Sequence, residues 1–157
     1  MDTPSVYIET SIVSYLAADP SRHPVTLRNQ QLTHAWWATR ERYTLYTSNA
    51  VVGEARDGDS RMAAARLALL DPITILAENA EVQALASALR HGIPLPARAH
   101  ADAAHVAIAA VYGLAYLLTW NCKHIANPKL IPRIARICSA WGRNAPVLCT
   151  PAQLLED

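Results

Sequence analysis

The chain has 157 residues, 52% hydrophobic and 17% charged, so it can bury one core and is not disordered. Fourteen Lys and Arg stand against thirteen Asp and Glu, and a formal charge of +1 excludes a strongly basic or acidic chain. Any contact with nucleic acid would therefore depend on a local patch. We expect a single domain over residues 1–157.

The cysteines predict no covalent framework. The chain has three of them, an odd number, far apart and without a CxxC pair. This spacing favours neither a disulfide scaffold nor a zinc site. We expect small buried hydrophobic side chains at Cys122, Cys138 and Cys149.

No targeting or membrane segment is expected. Residues 1–5 are polar, and Glu9 interrupts the first apolar stretch, which is unlike a signal peptide. The longest apolar stretch, 103–120, contains His105 and Gly113. It is better explained as a buried helix followed by a buried strand than as a membrane span. We therefore predict a cytoplasmic protein.

The first half of the chain alternates short apolar runs with amphipathic stretches. Thr10 or Ser11 is the expected N-cap of the first helix. In chain order we predict a strand at 5–8, helices at 12–18 and 27–42, a strand at 43–47, a helix capped by Ser48 that runs through 52–56, and a helix capped by Ser60 that ends before Pro72.

The second half continues this alternation, with Gly92 and Gly113 as helix stops. In chain order we predict a strand at 73–76, helices at 78–90 and 97–112, a strand at 115–119, a loop at 121–127, a helix at 130–141, a strand at 146–149 and a last helical turn at 151–155. The helix at 97–112 is rich in small residues, which suits close packing against a sheet.

Strands that alternate with helices, and that lack polar alternation, are typical of parallel strands covered on both faces. The sequence therefore predicts an α/β fold. In open parallel sheets, ligands bind beyond the carboxyl ends of the strands.

Several polar residues fall at that edge of the predicted sheet. Glu9 follows the first strand directly, and Glu54 lies on the helix after the second. Asp102 sits in the first turns of the Ala-rich helix, and Asn121 and His124 follow the fourth strand. Because hard cations such as Mg²⁺ and Mn²⁺ prefer oxygen ligands, this set of residues predicts a site for a divalent metal.

Each of these residues also has a purely structural interpretation. Glu9 could cap a helix, Glu54 could be an exposed charge, Asp102 could favour a helix N-terminus, His105 could be a core residue or support a ligand, Asn121 could belong to a turn, and the basic stretch 123–136 could be an ordinary solvated face. The shared location of the acids favours the metal site.

Four short motifs, in order, resemble the PIN-domain family, and within it the VapC-like toxins of type II toxin–antitoxin systems. They are VYIETS at 6–11, YTS and VGE at 46–48 and 52–54, ADAAHVAIA at 101–109, and LLTWNCKHI at 117–125. Together they span nearly the whole chain.

The resemblance implies a three-layer α/β/α fold with a central, mostly parallel sheet of about five short strands. It implies a Mg²⁺- or Mn²⁺-dependent endoribonuclease that hydrolyses RNA phosphodiesters with a metal-activated water. Glu9, Glu54 and Asp102 would be the metal ligands and, together with Asn121, the catalytic residues. Such toxins are usually homodimers inhibited by a small antitoxin protein.

The chain departs from the family at two positions. The first acid of the family is normally Asp, and here it is Glu9, which is one methylene longer. The family usually has a further acid after the fourth strand, where this chain offers only Asn121 and His124. The alternative function is therefore a catalytically degraded PIN-like domain that acts as an RNA- or protein-binding module.

Two further expectations concern partners. Basic side chains near the fourth strand are expected to hold the RNA backbone: Lys123, His124, Lys129, Arg133 and Arg136. Adjacent Trp36 and Trp37 cannot both face one core, so one of them is expected to be exposed and to support self-association.

Overall fold

The structure is a computed structural model, and it describes residues 2–156. Its centre is a parallel sheet of five strands in the order β3-β2-β1-β4-β5. The strands are β1 (Ser5–Ile8), β2 (Thr44–Ser48), β3 (Thr74–Leu76), β4 (Tyr116–Leu118) and β5 (Val147–Cys149). The sequence order reverses at β1, so the carboxyl ends of β1 and β4 form a switch point, where parallel sheets bind ligands.

Helices cover both faces of this sheet. The α-helices are α1 (Thr10–Ala17), α2 (Pro24–Trp37), α3 (Asn49–Ala55), α4 (Ser60–Leu70), α5 (Ala80–Gly92), α6 (His100–Val111), α7 (Ile131–Ala140) and α8 (Pro151–Leu155). Helix α5 packs against α6 and α7, whereas α1 packs against α2, α3 and α4, and α2 against α8. The result is the predicted three-layer α/β/α arrangement.

The core lies along the central strands because these are covered on both faces. Val6, Tyr7 and Ile8 of β1 and Leu117 and Leu118 of β4 are fully buried. Each such side chain contributes on the order of 1.5–3 kcal/mol of hydrophobic stabilisation. This packing fixes the ends of β1 and β4, and with them the residues that follow.

Helix α6 lies close to the sheet because its buried face is mostly alanine. It ends in a Schellman motif, in which Leu114 N–H donates to Ala109 O and Gly113 N–H donates to Ala110 O. Gly113 adopts a positive φ of 67°, which confirms its predicted role as a helix stop.

Two predicted helix N-caps were wrong by one or two residues. The N-cap of α1 is Glu9, whose carboxylate accepts Ser11 N–H, and not Thr10 or Ser11. The N-cap of α4 is Asp59, which accepts Met62 N–H, and not Ser60. In each case a carboxylate stands just before the predicted hydroxyl cap.

Two long predicted helices are each divided in two. The stretch at 27–42 forms α2, which starts earlier at Pro24, and a 3-10 turn at Arg40–Arg42. Thr39 ends α2 because both its N–H and its hydroxyl donate to Trp36 O. The stretch at 97–112 forms a 3-10 turn at Ala97–Ala99 and then α6.

The adjacent tryptophans divide between core and rim. Trp36 is fully buried, and Trp37 is partly buried against the core, with the Arg40 guanidinium 4.9 Å from its ring centroid. The two tryptophans differ in burial as predicted, but Trp37 is only partly exposed and is not a strongly exposed side chain for a protein interface. Self-association stays a prediction.

The cysteines divide in a similar way. Cys138 and Cys149 are buried as expected, whereas Cys122 is exposed, and its expected burial was wrong because it lies in the loop that follows β4. Within residues 2–156, no helix combines the length and the apolar character needed to cross a membrane.

Candidate active site

The predicted acids lie together at the carboxyl edge of the sheet. Glu9 caps α1 directly after β1, Glu54 lies in the last turn of α3, and Asp102 lies in the first turn of α6. Burial lowers the pKa of His105, but the hydrogen bond to Glu54 and the negative charges of all three acids outweigh burial and raise that pKa above its usual value. The fold therefore brings together three acids that are about 45 residues apart in the chain.

Glu9 is 5% exposed, and neutral donors hold one of its oxygens. Its Oε1 accepts hydrogen bonds from Ser11 N–H at 3.1 Å, from the Ser11 hydroxyl, and from the Thr119 hydroxyl at 2.6 Å. Thr119 reaches Glu9 because β4 is paired with β1. Glu9 therefore caps a helix and also contributes a fixed carboxylate to the site, so the two interpretations of this residue are compatible.

Glu54 is oriented by two donors that also meet at a single oxygen. Its Oε1 accepts the Thr10 hydroxyl and His105 Nε2–H, each at 2.7 Å. Burial raises the pKa of Glu54, but the hydrogen bond and the charge of His105 outweigh burial and hold the pKa below its usual value of 4.5. The carboxylate is therefore kept ionised and is not a freely rotating surface charge.

His105 is fully buried and connects Glu54 to the interior. Its Nδ1 lies 2.6 Å from the Tyr7 hydroxyl, which lies 2.7 Å from the Ser48 hydroxyl. Burial disfavours the phenolate and raises the pKa of Tyr7 well above its ordinary value, so the hydroxyl keeps its proton.

Sequence reasoning gave His105 a core or supporting role and assigned no role to Tyr7. The available signal was the tyrosine itself, because a hydroxyl on a strand between Val6 and Ile8 must find a buried partner. Ser48 was predicted as a helix cap, and the structure confirms that Val51 N–H donates to its hydroxyl.

Asp102 has a different set of partners, which come mainly from the loop after β4. Its Oδ2 lies 3.3 Å from His124 Nδ1, and the Asn121 side chain also bonds to it. Burial raises the pKa of Asp102, aided by the charge of Glu9, although Asn121 and the two nearby histidines oppose this shift.

Asn121 lies where the PIN-domain resemblance implies a further acid, and two of its hydrogen bonds are local. Its Oδ1 accepts His124 N–H at 3.0 Å, and its own N–H donates to the Thr119 hydroxyl at 2.9 Å. The turn interpretation of Asn121 is thus correct, and the same side chain also contacts Asp102. Asn121 is placed to orient an acid.

The basic residues predicted to contact RNA differ in exposure. Lys123, Lys129, Arg133 and Arg136 are exposed, the first two in the loop after β4 and the last two on α7. Within residues 2–156 none of the four forms an ion pair. His124 differs from them, because its side chain is only 16% exposed and contacts Asp102.

The donor chemistry of the three acids fits a divalent cation. Their carboxylates are hard oxygen ligands, and no Lys or Arg of residues 2–156 forms an ion pair with any of them. As the side chains stand, however, no three His, Cys, Asp or Glu within that range are grouped closely enough to hold a metal. The carboxylates instead bind separate protein donors, so Glu9, Glu54 and Asp102 remain predicted ligands.

Comparison with known proteins identifies the fold. No protein-family model and no curated protein matches the chain. Among solved structures, it is similar to VapBC2 from Rickettsia felis, solved with a DNA fragment from its promoter, with a TM-score of 0.54 and 17% identity over 93% of this chain and 98% of that one.

A second similar structure is VapC20 of Mycobacterium tuberculosis, a toxin that cleaves the sarcin-ricin loop. The TM-score is 0.58 with 19% identity, over 76% of this chain and 92% of that one. The two likenesses confirm the three-layer PIN-like fold of VapC toxins that the sequence motifs implied.

Proposed function

We propose that this protein is a metal-dependent endoribonuclease, the toxin of a toxin–antitoxin pair. One observation carries the proposal: three carboxylates from separate elements act electrostatically on one buried histidine at the carboxyl edge of the sheet, in a chain whose fold is similar to that of VapC toxins. Acids gathered without Lys or Arg partners repel one another, and a bound cation would offset that repulsion.

In this proposal, Glu9, Glu54 and Asp102 hold Mg²⁺ or Mn²⁺. When bound, such a cation supplies an acidified water and offsets charge that develops on a phosphoryl group. Ser11 and Thr119 orient Glu9, and Asn121 orients Asp102, through the hydrogen bonds described above. The oxygen of a water would form a bond to phosphorus in line with the leaving oxygen as the P–O bond to that oxygen breaks, without a covalent intermediate. The water would lose one proton and the leaving oxygen would gain one.

The RNA backbone would lie along the exposed basic residues that flank the site. Lys123 and Lys129 follow β4, and Arg133 and Arg136 lie on α7, which starts at the same edge of the sheet. Their charges are not neutralised by ion pairs within residues 2–156. Such side chains bind phosphates without reading the base sequence. His124 would act from within the site, beside Asp102.

Two protein partners belong to the proposal. A small antitoxin protein would inhibit the enzyme, which the likeness to a VapBC2 structure supports. A homodimer is proposed from the family resemblance. Light scattering that gives a monomer mass at high protein concentration would remove the dimer from the proposal.

Thermal melting with Mn²⁺ tests the metal site directly. A ligand that binds only the folded state stabilises it by RT ln(1 + [L]/Kd), which is about 2.7 kcal/mol at 100 times Kd. We expect millimolar Mn²⁺ to raise the Tm of the wild type. The rise should disappear in Glu54→Gln and persist in Glu41→Gln, an exposed acid in the 3-10 turn before β2. Equal wild-type curves with and without Mn²⁺ would contradict the proposal.

The alternative, a non-catalytic RNA- or protein-binding module, is favoured by one feature. The position after β4 carries Asn121, which contributes no charge, and His124 already contacts Asp102. A chain that binds RNA at low salt but neither binds Mn²⁺ nor cleaves RNA would establish this second function.

A further inference from the structure

A chain of buried hydrogen bonds begins and ends on the same helix. Ser48 caps the start of α3, and Glu54 lies in the last turn of that helix. Between them, the Ser48 hydroxyl contacts Tyr7, Tyr7 contacts His105 Nδ1, and His105 Nε2 contacts Glu54 Oε1, at 2.7, 2.6 and 2.7 Å. The intermediate residues come from β1 and α6, so three elements meet in this chain.

The direction of the last bond follows from the chemistry of its partners. An ionised carboxylate can only accept, so His105 Nε2 must carry a proton. In the neutral ring, Nδ1 then accepts a hydrogen bond from the Tyr7 hydroxyl, and the Tyr7 oxygen accepts a hydrogen bond from the Ser48 hydroxyl. In the protonated ring, Nδ1 donates to Tyr7 instead. In both cases the partner at Nδ1 leaves Nε2–H directed at Glu54.

Burial makes this arrangement rigid. The side chains of Tyr7, Ser48 and His105 are fully buried, whereas the Glu54 side chain is 37% exposed, so the chain reaches solvent only at the carboxylate. Within residues 2–156, the hydrogen bonds to Glu54 are those of Thr10 and His105, and both are made to Oε1. Oε2 is therefore the oxygen left for a ligand.

We propose that Tyr7 and His105 are positioning residues that hold Glu54 with one oxygen occupied and the other presented to a divalent cation. The proposal rests on the metal-dependent function proposed above, and it adds residues that the resemblance did not supply. The outer partners of metal ligands act in this way generally, and losing one weakens metal affinity by roughly 10- to 100-fold.

A purely structural role makes a different prediction. If the chain only satisfies buried polar atoms, its loss would lower stability and leave metal affinity unchanged in the molecules that stay folded. Mn²⁺ affinity of the folded protein, measured by titration calorimetry below the Tm of each variant, separates the two roles.

The test compares two amides at one position. In His105→Gln, the terminal NH₂ lies at about the depth of Nε2 and can still donate to Glu54, whereas in His105→Asn it lies nearer to Nδ1 and cannot reach. Both variants bury one amide and should lose similar stability. We expect Mn²⁺ affinity to fall roughly 10- to 100-fold in His105→Asn and to be largely retained in His105→Gln.

A second comparison addresses Tyr7 with a matched control. Tyr7→Phe removes only the hydroxyl, and Tyr46→Phe makes the same change at the residue paired with Tyr7 in the sheet. We expect weaker Mn²⁺ binding in Tyr7→Phe and unchanged binding in Tyr46→Phe. Equal affinities in these two variants, or in His105→Gln and His105→Asn, would overturn the positioning role.

A measurement without metal keeps this inference separate from the proposed function. In nuclear magnetic resonance spectra of the ¹⁵N-histidine-labelled protein, the His105 Nε2 proton should exchange slowly with solvent in the wild type and faster in Tyr7→Phe. A wild type that binds no Mn²⁺ overturns the proposed function and the cation part of this inference. An unprotected Nε2 proton overturns the hydrogen-bond chain itself.

Discussion

The two sides of the site are built differently. The Glu54 side (Tyr7, Ser48, His105 and Glu54) takes every partner from a strand, a helix or a helix cap, and most of it is fully buried. The Asp102 side (Asp102, Asn121 and His124) depends on a loop, and its contact between Asp102 and His124 is longer, at 3.3 Å. Groups held by packed elements keep their geometry better than groups held by loops.

The difference also concerns charge. Burial outweighs the favourable contacts at Asp102 and raises its pKa, whereas the His105 contact outweighs burial at Glu54 and lowers its pKa. The position at which the PIN-domain resemblance implies a further acid is on the Asp102 side, and it is occupied by Asn121. The Glu54 side therefore presents a carboxylate that is already ionised and oriented. In the proposed function, the cation would stabilise the ionised form of Asp102 most, because burial disfavours that form there.

The largest expected effect is the loss of activity in Asp102→Asn. The change removes the charge of a predicted metal ligand. Losing a residue that only contacts a metal ligand already lowers metal affinity or activity by roughly 10- to 100-fold, so cleavage of a generic RNA in Mn²⁺ should fall by at least about 100-fold. Asn keeps the size of the side chain, so the circular-dichroism spectrum should not change. Asp71→Asn, an exposed acid before β3 at the opposite edge of the sheet, is the control. A fully active Asp102→Asn variant would show that Asp102 is only a helix-terminal charge.

Asn121→Asp would sharpen the comparison by restoring an acid to the weaker side. The new carboxylate would stand beside Asp102, and the repulsion should lower the metal-free Tm, by about 2–4 °C for each kcal/mol lost. Mn²⁺ should reverse this loss and bind more tightly than to the wild type. Melting curves in EDTA and in Mn²⁺ measure both effects. A Tm that is lower in both conditions would mean that the missing acid does not limit metal binding.

The pH dependence of stability tests the Glu54 side in metal-free protein. The pKa of His105 is raised above 6.5, so its stabilisation is full below pH 6.5 and is lost as pH rises through the folded pKa. The pKa of Glu54 is lowered below 4.5, so its stabilisation is full above pH 4.5 and is lost as pH falls through the folded pKa. The pair should therefore stabilise the fold most between about pH 4.5 and 6.5.

The measurement is the Tm difference between wild type and His105→Gln in EDTA from pH 5 to pH 9. The advantage of the wild type should shrink as pH rises above 6.5. His91→Gln, at an exposed position in the last turn of α5, is the control, because it replaces a histidine outside the pair. A difference that stays constant with pH would mean that the pair does not titrate as the structure implies.

The smallest expected effect is at the exposed basic residues that flank the site. Arg133→Gln removes one phosphate contact, so RNA affinity should fall modestly for all sequences, and the salt dependence of binding should weaken by about one unit of slope. Arg22→Gln, in the exposed turn before α2, provides the comparison. Equal salt slopes in the two variants would exclude α7 from the RNA path.

The sequence by itself determined the alternation of elements and the edge at which the acids lie. The strand at Ser5–Ile8 and the last helix at Pro151–Leu155 were predicted to the residue, and the parallel sheet followed from apolar runs without polar alternation. These acids were singled out from their places along the chain: Glu9 directly follows a predicted strand, Glu54 lies on the helix after a predicted strand, and Asp102 lies in the first turns of a predicted helix. These are local signals, carried by residues close together in the chain.

Only the tertiary structure decided how those acids are held. Tyr7 is 41 residues from Ser48 and 98 residues from His105, its two hydrogen-bond partners, so no local sequence pattern links the three. From the sequence, Glu9 could be either a helix cap or a metal ligand. In the structure, the pairing of β1 with β4 brings the Thr119 hydroxyl to the Glu9 carboxylate. A buried polar atom binds whichever partner the packing of distant elements brings within reach, and sheet order and helix placement set that partner.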